Sequence, residues 1–377
     1  MRVVYQCENF LPDVIGGAEV FSAHLLKALQ ARGHDVLVLT SRPGEQAAEK
    51  YSTFDGIDVC KLDFANVLRA RDLTGYARMC AGIDSMVSAF SADVLLLADT
   101  ARSGFFFLRA RSAKTLPRLL TLHSPLREPG RDTLQNRLML EADKVVAISR
   151  SVFEDAVDAM PSVASKLVRI TNALPASAVP ASPLPFAPPR LLFIGRLSTE
   201  KAADTAIRAT AFARDRGYHF DLEIAGDGPQ RSQLQALTRS LDLDDHIHFS
   251  GWMAPECIPA LINTATAILV PSRWREPFGL VALQAMQMGR PVIASAVGGL
   301  PEIVEDGEAG LLVAPDDVPA MAHAILRLLG NPEITTRMGM AAGLRARQKF
   351  DFNLLVDAYE AAIVDIVSTP HNAKTMA

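Results

Sequence analysis

With 377 residues the chain is too long for one ordinary hydrophobic core and fits two domains of roughly 100–200 residues each. Hydrophobic residues make up 49% and charged residues 21%, which excludes a disordered chain. A formal net charge of −4 and the lack of aromatic–basic interleaving exclude a nucleic-acid partner.

The first half alternates short apolar runs with helical patterns. Residues 3–5 open a buried strand, and Val20, Phe21, Ala23, Leu26, Ala28 and Leu29 then mark a helix stopped by Gly33. Residues 36–39 read as the next strand, followed by short runs at 94–97, 119–122 and 144–148. Helical stretches between most of them imply parallel strands joined by right-handed crossovers. Gly16 and Gly17 lie between the first strand and its helix, where paired glycines let backbone approach a ligand and a helix N-terminus offers N–H groups to an anion. The same pair also reads as an ordinary loop. The GxGxxG dinucleotide fingerprint is absent, which argues against a nicotinamide enzyme.

Residues 102–150 carry ten Lys/Arg against four Asp/Glu. That excess reads either as solvated helix faces or as a patch facing an anionic acceptor or an acidic membrane surface. Cys7, Cys60, Cys80 and Cys257 are scattered without metal-ligand spacing, so neither a zinc site nor a disulfide framework is expected. The N-terminal apolar run is too short for a signal peptide, and no segment approaches the ~20 apolar residues needed to cross a bilayer. A cytoplasmic protein is expected, one that at most sits peripherally on the inner face of a membrane.

Residues 174–190 contain six prolines, which forbid helix and central strand alike, so this stretch reads as a stiff linker and hinge. The alternation then restarts, with strands at 191–194, 222–225, 247–249, 267–270, 291–294 and 311–313. The expected architecture is α/β, with two doubly wound parallel-sheet domains facing a central cleft that holds the ligand. Residues 352–367 form an amphipathic helix, and the remainder reads as frayed.

Chemistry concentrates in the second half. Arg196 and Lys201 follow the strand that opens this domain, and a guanidinium with an ammonium suits a diphosphate leaving group. Gly226-Asp-Gly-Pro229 reads as a structural turn. The densest stretch runs Val270-Pro-Ser-Arg-Trp-Arg-Glu276-Pro-Phe-Gly-Leu-Val-Ala-Leu-Gln284, with Gly298-Gly-Leu-Pro-Glu302 beyond it. Glu276 precedes Pro277 and so stays outside helix. A helix beginning at 277–279 and ending near Gly289 would offer free N–H groups to phosphate or sugar oxygens.

These motifs, in this order, resemble retaining glycosyltransferases of family 4, also described as glycosyl transferases group 1. The resemblance covers nearly the whole chain: Gly16-Gly-Ala-Glu19, Gly33-His-Asp-Val36, Thr121-Leu-His123, Ala147-Ile-Ser149, Gly195-Arg196 with Lys201, Gly226-Asp-Gly-Pro229, the Glu276 stretch and Gly298–Glu302. It implies the GT-B fold of two Rossmann-like domains. The first is an acceptor-binding domain over residues 1–173, joined by a returning helix at about 351–368. The second is a nucleotide-sugar-binding domain over 191–350. By the same resemblance Gly16 and Gly17 face the donor's phosphates, and His123 reaches the donor sugar. Arg196 and Lys201 neutralise the departing diphosphate, while Glu276 binds sugar hydroxyls. The backbone at Phe278, Gly279 and Leu280 holds sugar and phosphate oxygens, and Gly251 with Met253 lines the nucleobase site.

One departure stands out. The family carries a second Glu where this chain has Gln284, and that carboxylate accepts hydrogen bonds from the ribose. An amide gives up the charge-assisted bond, a loss on the order of 1–2 kcal/mol of nucleotide affinity. The usual Asn-Gly after the last strand of the first domain is altered to Asn172-Ala173. The implied activity is sugar transfer with retention from a UDP- or GDP-sugar to a glycan, glycolipid or small-molecule acceptor. It needs no cofactor and no metal, since no acidic dyad is placed to hold one and Arg196 with Lys201 can stabilise the diphosphate. Closure about the Pro-rich hinge would exclude water. A nucleotide-sugar-binding protein without turnover and a GT-B epimerase are the alternatives.

Overall fold

A computed structural model describes residues 1–14, 16–41, 50–98, 103–124 and 133–369. The chain divides into two compact units, Met1–Asn172 with the stretch from Asn353, and Ala173–Phe352.

The first unit holds β1 (Arg2–Cys7), β2 (Asp35–Ser41), β3 (Lys50–Phe54), β4 (Ile57–Leu62), β5 (Val94–Ala98), β6 (Arg118–Leu122), β7 (Lys144–Ala147) and β8 (Leu167–Arg169). They form one sheet in the order β3-β4-β2-β1-β5-β6-β7-β8. Every neighbouring pair is parallel except β3 and β4. Buried residues run almost unbroken along β1 and fill β5, as in strands covered on both faces. The β3–β4 hairpin was not expected from periodicity. Its two-residue turn, Asp55-Gly56, has φ of 49° and 83°, the left-handed pair that a right-twisted hairpin requires.

The last helix, Phe352–Ser368, packs into the first unit. Its Glu360 accepts from Arg32 at 2.8 Å and bonds the His34 ring at 2.9 Å, and its Tyr359 hydroxyl lies 3.3 Å from that of Thr121. Ser149 caps the helix Arg150–Ala159 by accepting from the Val152 N–H at 3.1 Å, which gives Ala147-Ile-Ser149 a structural purpose.

The second unit holds β9 (Arg190–Ile194), β10 (Asp221–Ala225), β11 (Ile247–Gly251), β12 (Ala267–Val270), β13 (Val292–Ser295) and β14 (Gly310–Val313). All are parallel, in the order β11-β10-β9-β12-β13-β14. The six strands fall where the apolar runs placed them. The core of this unit interleaves Leu191 and Phe193 of β9 with Ile207 and Ile325 from the flanking helices.

The Pro-rich stretch takes no regular structure but is bonded along its length to this second unit. Arg290, fully buried, donates to the Ser182 carbonyl at 2.7 Å and the Ser182 hydroxyl at 2.9 Å. Asn263 donates to the Pro180 carbonyl at 2.8 Å, Gln287 to the Leu174 carbonyl at 2.9 Å, and Thr266 to that of Pro185. Burial pulls the Arg290 guanidinium down to about 10, because its partners are carbonyls and a hydroxyl with no carboxylate to balance the charge. Residues 174–190 are therefore an integral strap of the second unit rather than a free linker.

Candidate functional site

Strand order reverses in the second unit between β9 and β12, so the loops leaving these strands turn to opposite faces and open a crevice at their C-terminal ends. β9 runs into Gly195, Arg196 and Lys201, and β12 into Ser272, Arg273, Glu276 and Gly279. Across this point Lys201 Nζ donates to Glu276 Oε1 in a short ion pair. Ser272 Oγ donates to the same oxygen at 3.1 Å. Glu276 is only 6% exposed, while the Lys201 side chain is 32% exposed. One carboxylate oxygen is thus anchored, and Oε2 has no hydrogen-bond partner among the described residues. A carboxylate held in this way is oriented to accept from hydroxyl groups beside an ammonium suited to phosphate.

Two glycines lock the Glu276 backbone. Gly298 has φ +57°, and a Cβ on it would stand 2.0 Å from the Glu276 carbonyl oxygen. The Gly299 N–H donates to that same oxygen at 2.8 Å. Gly298-Gly299 is therefore a packing requirement of the Glu276 loop.

The helix behind Glu276 starts later than its sequence suggests. It spans Leu280–Gln287, with Gly279 as the N-cap at φ +115°. That left-handed turn keeps residues 277–279 out of the helix, and a Cβ on Gly279 would meet Leu300 at 2.6 Å. The first-turn N–H groups of this helix have no partner within it. The Phe278 ring is buried against Phe350 at 5.8 Å between centroids, so only its backbone remains for a ligand. Gln284 lies in the middle of the helix, half-buried, and its side chain makes no hydrogen bond among the described residues.

Arg273 was missed by the sequence reading. Its guanidinium takes both Asp204 oxygens at 2.8 and 2.6 Å, donates to the Thr199 carbonyl at 3.2 Å and pairs with Asp316. Its own N–H donates to the Glu200 carbonyl at 2.9 Å. One residue thus ties the loop carrying Lys201 to the loop carrying Glu276. No local spacing announces it, because Asp204 and Asp316 lie 69 and 43 positions away. Arg196 is exposed in the same loop. Glu200 beside it has its carboxyl held below the usual range by its own backbone N–H and the Ser198 hydroxyl, with Arg196 and Lys201 adding to the effect.

On the β10–β11 side, three strand ends meet backbone to backbone. Gly195 N donates to Ala225 O at 3.0 Å, Leu197 N to Asp227 O at 2.9 Å and Gly226 N to Gly251 O at 2.7 Å. A Cβ on Gly226 would sit 1.9 Å from Gly195 O. Asp227 is occupied by Arg231 at 3.1 Å and by the Gly228 N–H at 2.7 Å, consistent with a structural turn. Gly251 ends β11 at φ +76°, followed by exposed Trp252 and half-buried Met253. Neither Gly251 nor Met253 contacts Glu276 through a hydrogen bond.

In the first unit the reversal falls between β1 and β5. Gly16 is the N-cap of the helix Gly17–Ala31, which begins after β1, in the position expected of a backbone anion cradle. His123 directly follows β6 and is 9% exposed, with its ring edge-on to Phe21 at 5.5 Å. Phe21 leans in turn on Tyr359 at 6.2 Å. Among the described residues no group of three His, Cys, Asp or Glu side chains is placed to hold a metal, and no helix is long and apolar enough to cross a membrane.

Residues 15–177 match the family model described as Glycosyltransferase Family 4, and residues 180–345 match that described as Glycosyl transferases group 1. Alpha-D-kanosaminyltransferase of Streptomyces kanamyceticus is 37% identical over 45% of this chain, and the match spans 44% of that protein. Glycogen synthase of Mycobacterium tuberculosis is 29% identical over 95% of this chain and 93% of its own. Among solved structures, sucrose-phosphate synthase from Thermosynechococcus elongatus superposes with a TM-score of 0.82 at 22% identity, covering 97% of this chain and 98% of that one. Anabaena Alr3699/HepE, solved in complex with UDP and glucose, gives 0.79 at 21% identity, covering 97% and 100%. Two Rossmann-like units, the matches to both halves and these neighbours agree, and the chain belongs to the GT-B glycosyltransferases.

Proposed function

We propose that the chain transfers a sugar with retention of configuration from a nucleotide-diphosphate sugar, UDP- or GDP-linked, to a hydroxyl of a glycan, glycolipid or small-molecule acceptor, without an obligatory metal. The observation that carries this reading is the half-anchored Glu276 beside Lys201 at the β9/β12 switch point. Oε2 of Glu276 accepts from hydroxyls of the donor sugar and holds it in register. The Lys201 ammonium, the exposed Arg196 and the first-turn N–H groups of Leu280–Gln287 face the diphosphate and stabilise the charge it gains as it leaves. In the first unit His123 is assigned to the sugar, and Gly16 with Gly17 to the phosphates. On the nucleobase side, Gly251 and Met253 are the assigned contacts. The acceptor oxygen bonds to the anomeric carbon on the face from which the carbon–phosphate oxygen bond breaks. Its proton passes to the leaving phosphate oxygen, giving a glycoside and a nucleoside diphosphate.

Gln284 favours a second reading, a nucleotide-sugar-binding protein without turnover, because an amide stands where the family's ribose-binding carboxylate does. A thermal-shift panel of UDP-, GDP- and ADP-sugars, followed by assay of nucleoside diphosphate release with the donor that binds, separates the two. Transfer is expected, with Gln284→Glu tightening donor binding about five- to thirtyfold, the equivalent of roughly 1–2 kcal/mol. Binding with no release, with or without acceptor, would establish the second reading.

A further inference from the structure

We propose that a groove on the second unit, between the helices Ala203–Arg214 and Arg231–Ser240, binds a single saccharide ring at a site separate from Glu276 and Lys201. That binding does not depend on which donor or acceptor the enzyme uses, so it can fail while the transferase reading stands.

The two helices leave the C-terminal edge of the sheet, one after β9 and the other after β10, and a cavity of 230 Å³ lies between their first two turns. It is lined by Asp204 and Arg208 on one side and by Gln230, Gln233, Leu234 and Leu237 on the other. Small-molecule sites usually enclose about 300–1,000 Å³, so this one admits one sugar ring and not a nucleotide sugar.

Leu234 is buried and Leu237 half-buried, a short apolar wall for the C–H face of a ring. Partners for hydroxyls stand around it. Arg208 and Gln233 are exposed and make no hydrogen bond or ion pair among the described residues, which leaves a guanidinium and an amide for ligand oxygens. Gln230 donates through Nε2 to the Thr199 hydroxyl at 3.0 Å, but its Oε1 is shielded from water with no donor among the described residues. An acceptor in that state gains from any ligand hydroxyl brought within reach. Asp204 gives its two oxygens to Arg273 at 2.8 and 2.6 Å and keeps lone pairs for a further hydroxyl.

Other ligands satisfy less of this lining. A phosphate would meet one guanidinium and, a turn away on the same helix, the Asp204 carboxylate. A nucleobase would find no aromatic face among the six residues, and an apolar ligand would strand four polar side chains. A sugar ring offers hydroxyls that both donate and accept, together with an apolar face. Bound there, it lies against the two side chains that brace the transfer site. Gln230 reaches the Lys201 loop through Thr199, and Asp204 reaches the Glu276 loop through Arg273.

Ligand-observed NMR titration of the full chain with glucose, mannose, N-acetylglucosamine, maltotriose and inorganic phosphate tests this. At least one sugar is expected to bind saturably, with a dissociation constant on the order of 1–10 mM, and phosphate is not. Maltotriose binding more tightly than glucose would identify a glycan end as the ligand, and equal binding a free monosaccharide; either supports the groove. Arg208→Ala with Gln233→Ala should weaken sugar binding at least about tenfold, while Glu276→Gln leaves it unchanged. Both rim positions are exposed, so unchanged thermal unfolding certifies the double variant. No saturable sugar binding, or binding that the double variant leaves untouched, would overturn the proposal. Loss of binding with Glu276→Gln would place the sugar in the transfer site, and phosphate binding abolished by Arg208→Ala would make the groove an anion site. Either result would overturn it as well.

Discussion

Replacing Lys201 by Met removes the cation paired with Glu276 and leaves a carboxylate of 6% exposure with Ser272 as its remaining partner at 3.1 Å. Breaking a fully buried pair costs roughly 3–5 kcal/mol, while an exposed pair is worth about 0–1 kcal/mol. Lys201, at 32% side-chain exposure, falls between these limits, so Lys201→Met is expected to destabilise the second unit by about 2 kcal/mol. Glu276→Gln keeps an oxygen for Ser272 and lets Lys201 relax towards solvent, at about 1 kcal/mol. The double variant should cost no more than Lys201→Met alone, giving a coupling of about 1 kcal/mol. Urea unfolding followed by tryptophan fluorescence suits the measurement, because both tryptophans, Trp252 and Trp274, belong to the second unit. Additivity within about 0.3 kcal/mol would refute the pairing. Each single variant should also lower sugar transfer at least about a hundredfold, or about 2.7 kcal/mol in the barrier. A folded variant with near-normal turnover would refute the site assignment.

Gly298→Ala would force a Cβ to within 2.0 Å of the Glu276 carbonyl at a φ of +57°. A loss of about 2–3 kcal/mol in stability, with transfer falling alongside, is expected; an unchanged melting temperature and rate would contradict the packing argument. Alkaline titration probes the buried phenols. Burial raises the pKa of Tyr5 and Tyr359, and raises that of Tyr76 to about 12. Each folded pKa lies above the unfolded value of about 10. The stability these groups contribute is therefore complete below pH 10 and lost as pH climbs through 12. Phenolate absorbance should lag in the folded protein and appear with unfolding, and ionisation of all five tyrosines together near pH 10 would refute this.

Much of the fold was legible because its strands are covered on both faces and so read as apolar runs, as in Val94–Ala98 and Ala267–Val270. The β3–β4 hairpin was missed although Asp55-Gly56 is a strong turn signal, because the strands beside it, with Lys50 and Asp58, break the apolar pattern. The start of the helix at Leu280 was misplaced because Pro277 ordinarily favours a first helical turn, and here the left-handed Gly279 overrides it. Glu276 and Lys201 were each legible as candidates, but their contact spans 75 positions and depends on strand order, which periodicity does not encode. Arg273 shows the same limit. Its partners are set by which loops the sheet brings together. The Pro-rich strap misled in the opposite direction: its composition is that of a linker, yet Arg290, a buried cation far along the chain, fastens it in place.

The returning helix has a consequence for how the protein is made. The second unit is one continuous stretch, Ala173–Phe352, and all of it but Phe352 precedes the returning helix during synthesis. The first unit lacks Tyr359 and Glu360 until after that stretch has been made, so Phe21, Thr121 and His34 wait without these partners while an entire second sheet is added. The usual order of co-translational folding, with the N-terminal body finished first, is inverted. A ribosome stalled shortly before residue 352 would carry every strand of both sheets, but the first unit would still lack the helix whose Tyr359 covers Phe21 and Thr121, leaving that apolar flank open to chaperones.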